Sequence, residues 1–358
     1  MTVASSNTIS NHRPWLTATG PESGDLVLVT PESAGWGYSG LHVLRLEPGV
    51  VRTVRTAGHE VFVLPLSGGL TMEVSAEASP AVREARFGLT GRSSVFTRVS
   101  DFAYVGRDSI ITLISANGAE VALPSAVCEQ RRPPLYGPAE AVPVEVRGAG
   151  PATRQVVNFG VPGVWDHAER LIACELITPP GNWSSYPPHK HDSTQPCPVV
   201  NEEIYFYRIA GHDQVSPSRE GFGVHRTYTG LEHEDAGLPE IDDHLEVRDF
   251  DVVLVPHGYH GPCVAAPGYP MYYLNVLAGP GERALAFCDD PAHAWVRDSW
   301  AASPTDPRCP VTSSEGRIDA APTGAIPVHT GSVPVLAPVP VPVPAPAAAP
   351  VPAESDGS

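Results

Sequence analysis

The chain has 358 residues, 42% of them hydrophobic, with 23 basic and 40 acidic side chains and a formal net charge of −17. That apolar share supports a packed core, while so acidic a chain lacks the basic footprint that nucleic acid or an anionic membrane surface requires. No apolar run is long enough to span a bilayer, and residues 1–20 are polar without a signal-peptide stretch.

Length suggests two domains. Cys128, Cys174, Cys197, Cys263, Cys288 and Cys309 are widely spaced with no CxxC pair. They read as free thiols in a reducing, cytoplasmic compartment and not as a disulfide scaffold. Residues 1–303 read as short strands rich in Val, Ile, Tyr and Phe, each followed by turn residues. The clearest are 41–46, 61–66, 110–114, 171–176, 204–209, 252–255 and 271–277. Helical periodicity is scarce, with candidates only at 164–168 and 292–300. The fold class is therefore all-β, a sandwich or barrel.

A repeat supports two copies of one unit. His59-Glu60-Val-Phe-Val-Leu-Pro-Leu-Ser-Gly68 aligns without gaps on Glu202-Glu203-Ile-Tyr-Phe-Tyr-Arg-Ile-Ala-Gly211, an offset of 143 residues. The second copy has Tyr205, Tyr207 and Arg208 where the first has Phe62, Leu64 and Pro65. The predicted division is a first barrel over 1–150, a second over 151–303 and a tail over 304–358. The tail holds 13 of the 40 prolines. Val333–Pro352, with Pro at nearly every second position, can form neither helix nor sheet and reads as a disordered, extended polyproline-type segment.

The chemistry concentrates in Trp183–Asp192, Glu202-Glu203 and Pro256–His260. Residues two apart on a strand share a face, so His189 and His191 present two imidazoles side by side, and Glu203, Tyr205 and Tyr207 share a face as well. His260 follows the apolar strand 252–255 and a Pro-x-Gly-x-His turn. Three imidazoles and one carboxylate form a mixed donor set suited to Zn, Mn, Fe or Ni. His189, His191, Glu203 and His260 are thus the candidate ligands of one divalent metal. Strand alternation sends Lys190 and Arg208 away from these faces. Nucleophilic catalysis, phosphate loops and dinucleotide motifs have no support in the sequence.

HxH, a Glu before an apolar strand and a later His after P-x-G are the two signature motifs of the cupins. The ordered run WSSYPPHKHD, NEEIYFYRI, GFG…RTYT, DVVLVPHGYH and APGYPMYYLNVLAGP resembles the 5-deoxy-glucuronate isomerase family of myo-inositol catabolism. The resemblance is strong over about 155–300, weaker over 25–150 and absent from the tail. It implies two tandem cupin (jelly-roll) barrels, the first degenerate, and the metal on His189, His191, Glu203 and His260 of the second. It also implies interconversion of 5-deoxy-glucuronate and 5-dehydro-2-deoxy-gluconate. The sequence departs from the pattern in three ways. Eleven residues separate His191 from Glu203 where three or four are usual, so Asp192–Glu202 must form an inserted loop; if that loop displaces Glu203, then Glu202 or Asp192 is the substitute ligand. Phe250 stands where the second motif usually has Gly. His225 and Gly261 stand where Gln and Pro are expected.

An aldose–ketose isomerisation needs an electrophile for the developing enediolate oxygen and a base that shuttles the proton. The metal supplies the first. Glu202 or a metal-bound hydroxide is the candidate base, with Tyr205 and Tyr207 donating hydrogen bonds to the sugar. The substrate is a small anionic sugar acid and the body is acidic, so a local cation must hold the acid group. Lys190, Arg208 and Arg226 are the nearest in sequence, and Asn275 in the row Met271–Asn275 is a further substrate contact. Three other functions remain open: a 4-deoxy-5-keto-uronate isomerase of pectin breakdown, a metal-dependent cupin oxygenase and a non-catalytic sugar-binding bicupin. A homo-oligomer also remains open.

Overall fold

Runs of β-branched and aromatic residues broken by Gly, Pro and Asp fold into short antiparallel strands in the computed structural model, which describes residues 24–318. The first half contributes β1 (Asp25–Val29), β2 (Ser39–Leu46), β3 (Arg52–Arg55), β4 (His59–Ala76), β5 (Ser79–Arg92), β6 (Phe102–Val105), β7 (Ser109–Ile114), β8 (Ala119–Val127) and β9 (Leu135–Gly137). The second contributes β10 (Val144–Arg147), β11 (Arg154–Gly160), β12 (Ile172–Thr178), β13 (Trp183–Ser184), β14 (His189–Lys190), β15 (Glu202–Ile209) and β16 (Gly223–Tyr228). It continues through β17 (Asp242–Val247), β18 (Val252–Val255), β19 (Tyr259–Ala265), β20 (Met271–Ala278) and β21 (Cys288–Asp289). Each strand expected from sequence is present, several extended by a few residues. The expected helix at 164–168 is a series of turns, and 292–300 yields one helical turn at Val296–Ser299 followed by a 3-10 turn at Trp300–Ala302. Among the described residues no helix is long and apolar enough to cross a membrane.

Two jelly-roll barrels result. In the first, the 18-residue strand β4 pairs with β8 and β6 through its first half and with β5 and β7 through its second, so one strand serves both faces. In the second, a sheet ordered β10-β11-β12-β20-β15-β18 faces a sheet ordered β17-β16-β19-β14-β21. Side chains alternate between two environments. Val61 and Val63 fill the first barrel, and Tyr205, Tyr207 and Ile209 fill the second. Phe62, Leu64, Ile204 and Phe206 instead join one apolar core between the barrels.

The barrel junction carries a reciprocal clamp. The Glu60 carboxylate, fully buried, accepts backbone N–H bonds from Glu169 (2.8 Å), Arg170 (2.6 Å) and Leu171 (2.8 Å). The Glu202 carboxylate likewise accepts three backbone N–H hydrogen bonds, from Gly37 (2.7 Å), Tyr38 (2.9 Å) and Ser39 (2.8 Å). The ladders agree: Glu60 faces Ala126 on β8 as Glu202 faces Ala278 on β20. Glu60 is therefore the counterpart of Glu202, and the gap-free sequence alignment is one residue out of register. The residue equivalent to Glu203 in the first barrel is Val61, which pairs with Val105 as Glu203 pairs with Val255.

Two boundaries differ from expectation. The second barrel's sheet begins at Val144, because β10 pairs with β11. Residues 304–318, expected in the tail, return to the body: Val311 and Thr312 donate their N–H groups to Gln155 Oε1 at 2.7 and 2.8 Å, and Val99 N bonds Ser313 O at 2.9 Å. The proline-rich segment Val333–Pro352 lies outside the described residues. Phe250 occupies its glycine-type position with φ +71, its ring 4.1 Å from the Arg208 guanidinium. That conformation costs a non-glycine residue roughly 1–2 kcal/mol, which packing against Arg208 and Phe206 offsets.

Candidate metal centre

β14 pairs with β19 so that His189 lies directly opposite His260. His191 follows at the end of β14, and the inserted loop then closes on itself. Asn201 N bonds His191 O at 2.9 Å while His191 Nδ1 donates to Asn201 O at 2.9 Å. This reciprocal pair absorbs the long separation and returns the chain to Glu203 beside His191. Asp192 ties the same loop to the turn before His260, accepting from Gly258 N at 2.8 Å, His233 Nε2 at 2.9 Å and Thr194 N at 2.9 Å. Gly258 has φ +92, and a Cβ there would lie 2.7 Å from Tyr228 O, so the turn requires glycine.

The ligand atoms of His191, Glu203 and His260 lie within 4.8 Å of one another, all buried. Glu203 Oε2 is 2.8 Å from His191 Nε2 and 3.0 Å from His260 Nε2. Each histidine gives its Nδ1 proton to a backbone carbonyl: His189 to Pro187 (3.1 Å), His191 to Asn201 and His260 to Gly258 (3.4 Å). Such bonds fix the tautomer and leave Nε2 as the lone-pair atom. Two lone pairs then converge on a carboxylate oxygen, an arrangement that demands positive charge between them, and His260 Nε2 is buried without a hydrogen-bond partner among the described residues. The donor set thus fits a divalent cation. Without one, protons take its place. Burial pushes the Glu203 carboxyl up, but the charge of His260 and the hydrogen bond from His191 outweigh it and hold the group well below the usual carboxylate range. Burial pulls His191 down, yet its bond to Glu203 and the charge there raise it overall. His189 stands beside this group and not within it, its ring 4.6 Å from that of His260.

The cavity beside these groups is walled by the inner face of the large sheet. Tyr205 shares a hydrogen bond with Ser185 Oγ (2.8 Å), and Tyr273 donates to Ser184 Oγ (3.0 Å). Burial and the Glu203 charge push the Tyr205 phenol well above its ordinary range, so it stays protonated. Asn275, Phe287, Leu285, Arg147, Arg154 and Arg297 complete the wall. Tyr207 sits deeper, its hydroxyl 2.5 Å from His225 Nδ1. Burial and the charge of His260 bring His225 down to about 3, so it is neutral.

Four expected site residues lie elsewhere. Glu202, the expected base, is on the barrel junction with both carboxylate oxygens engaged by backbone N–H groups. Arg208 also faces the junction, paired at 2.8 Å with both Glu120 and Asp249. Lys190, fully buried, donates to Thr194 O at 3.0 Å and to Thr194 Oγ1, and so holds the inserted loop. Arg226 lies over the Tyr228 ring, 3.5 Å from Asp242. Strand alternation explains the first three, since each sits one residue away from the inward-facing set. Arg147, Arg154 and Arg297 lie in no sequence motif, yet line the cavity. Arg154 carried one signal: it stands two residues before Val156, which faces the barrel interior.

Comparison with known proteins agrees with this geometry. The KduI/IolB family model matches residues 15–296. A 5-deoxy-glucuronate isomerase of Geobacillus kaustophilus is 39% identical over 281 residues, 78% of this chain and 92% of that protein. The protein of the same name from Bacillus subtilis is 34% identical over 271 residues, 75% of this chain and 91% of its own length. The crystal structure of an IolB-like protein from Salmonella typhimurium superposes with a TM-score of 0.67 at 28% identity, covering 78% of this chain and 97% of that one. Oxalate decarboxylase of Lactobacillus farciminis shares the fold, with a TM-score of 0.52 at 11% identity over 77% of this chain and 88% of its own.

Proposed function

The chain belongs to the KduI/IolB family, and from that premise we propose that its second barrel works as a metal-dependent aldose–ketose isomerase. It interconverts 5-deoxy-glucuronate and 5-dehydro-2-deoxy-gluconate in the degradation of myo-inositol. The observation that carries the reading is the convergence of His191, Glu203 and His260 on one buried point beside a cavity lined by both charged and apolar side chains.

The reaction moves a proton between adjacent carbons, one a carbonyl and one a carbinol. His191, Glu203 and His260 would hold a divalent ion such as Zn, Mn or Fe, with His189 as the fourth donor through its Nε2. When bound, that ion supplies Lewis-acid polarisation of the substrate oxygens. Tyr205, kept protonated, donates to a sugar oxygen while its bond to Ser185 fixes the hydroxyl. Tyr207 does not reach the substrate; it orients His225 and packs behind Tyr205. Leu277, Leu285 and Phe287 keep the reacting carbons away from bulk water. With Glu202 committed to the junction, the proton is carried by a group inside the cavity.

The test is turnover of 5-deoxy-glucuronate and 4-deoxy-5-keto-uronate side by side in D₂O, with the metal content of the same sample measured. Faster turnover of the first, lost on chelation and restored by metal, is the expected result. A metal-loaded chain that turns over neither contradicts the reading.

A further inference from the structure

Three guanidinium groups line the cavity, and two of them are already neutralised. Arg147 grips Glu145 with two bonds, 2.9 and 2.7 Å, and Arg297 grips Asp289 with two as well. Arg154 differs. Only 4% exposed, it donates Nη1 to Ala152 O at 3.0 Å and lies 5.5 Å from the Trp300 ring, but it pairs with no carboxylate among the described residues. Its Nε is likewise buried without a hydrogen-bond partner among them. It also faces Arg147 directly across the β10–β11 ladder. A buried, unpaired cation opposite a second cation is costly to the fold, and the natural remedy is an anion arriving from the cavity. Burial, with the charge of Arg147, brings Arg154 down to about 10, so it remains a cation at neutral pH.

A second orphaned donor shares this wall. Asn275 Nδ2 is buried without a partner among the described residues, and Asn275 as a whole is 5% exposed. Asn275 lies on β20 between Cys174 of β12 and Tyr205 of β15, while Arg154 lies one strand beyond β12. The inner sheet thus runs from Glu203, through an amide donor, to an uncompensated guanidinium.

We propose that Arg154 and Asn275 form the recognition subsite for the carboxylate-bearing end of an open-chain sugar acid. Arg154 takes the carboxylate and Asn275 Nδ2 an oxygen further along the chain, so that the carbonyl end lies toward His191, Glu203 and His260. Arg147 adds to the field without giving up Glu145. The inference deepens the isomerase reading and rests on it for the orientation of the substrate.

The test compares two unreactive six-carbon probes that differ at one end, gluconate and its neutral counterpart glucitol, by calorimetric binding to metal-loaded protein. A charge-assisted pair at Arg154 predicts that gluconate binds roughly 10- to 100-fold tighter. In Arg154→Gln that preference falls to within about threefold, and Arg154→Lys restores part of it. Asn275→Leu weakens both probes alike, by about three- to tenfold. Without ligand, Arg154→Gln unfolds at no lower temperature than wild type, because it relieves an unpaired buried charge. Wild-type preference for gluconate in a folded, metal-loaded Arg154→Gln protein overturns the proposal. So does failure of both the Gln and the Lys variants to fold, which would assign the guanidinium to the scaffold. A wild-type protein that prefers gluconate yet turns over neither deoxy-uronate refutes the isomerase reading and leaves the subsite standing.

Discussion

The two barrels share strand order at their junction and even the same glutamate clamp, yet their interiors differ in chemistry. The first is filled mainly by apolar side chains, Val61, Val63, Leu70, Met72, Ile111 and Leu113 among them, with His42, His59 and Ser125 beside Val61. The second places Glu203, Tyr205, His260 and Asn275 on its inner wall, and only an ion and a substrate would satisfy these groups fully. The difference teaches that the junction fixes the scaffold, while residues of the opposite strand parity decide whether a barrel is a core or a site.

The sharpest way to break the contrast is to give the second barrel the first barrel's residue. Glu203→Val should abolish metal binding and isomerase turnover while the chain still folds, since it removes a buried carboxylate and adds apolar contacts. Metal content and turnover read the loss, and thermal unfolding reads the fold. The reverse exchange, Val61→Glu, buries a carboxylate in the first barrel, where Val61 shares a pocket with His42 and His59 but where no cluster of metal-donor side chains forms among the described residues. We expect it to destabilise the chain by about 3–4 kcal/mol in urea unfolding and to add no metal. A second metal equivalent would show that the first barrel keeps a latent site.

The clamp offers a finer comparison. Glu60→Gln should cost about 3 kcal/mol, because three backbone donors and the Tyr104 hydroxyl (2.8 Å) depend on a fully buried carboxylate. Glu202→Gln, at a half-buried position, should cost about 1–2 kcal/mol. Its turnover at a temperature where it stays folded should match wild type. A large loss of kcat with unchanged stability would return Glu202 to the role of base.

Much of this was legible in the sequence because it depends on local pattern. Short β-branched runs with turn residues give the strands, and alternation alone groups Glu203, Tyr205 and Tyr207 and turns Lys190 and Arg208 away. The same rule disqualifies Glu202, which nearness to the motif had favoured. The repeat shows how sensitive such reading is. Matching Glu60 to Glu203 looked natural, but a slip of one residue exchanges inside for outside, and the clamp shows that Glu60 answers to Glu202. The cavity arginines were out of reach for a different reason. Arg147 and Arg154 belong to strands that join the site only because the sheet places β10 and β11 beyond β12, and neither sits in a motif. The prolines of 304–318 place these residues in the tail by composition alone, although Gln155 satisfies the backbone of Val311 and Thr312.

The most direct test of the central claim, that the chemistry belongs to one metal centre in the second barrel, is metal content and 5-deoxy-glucuronate turnover measured together on wild type and His191→Ala. One equivalent of divalent metal and steady turnover in wild type, with both lost in a folded His191→Ala chain, is the predicted result. A metal-free His191→Ala protein that turns over like wild type would contradict it.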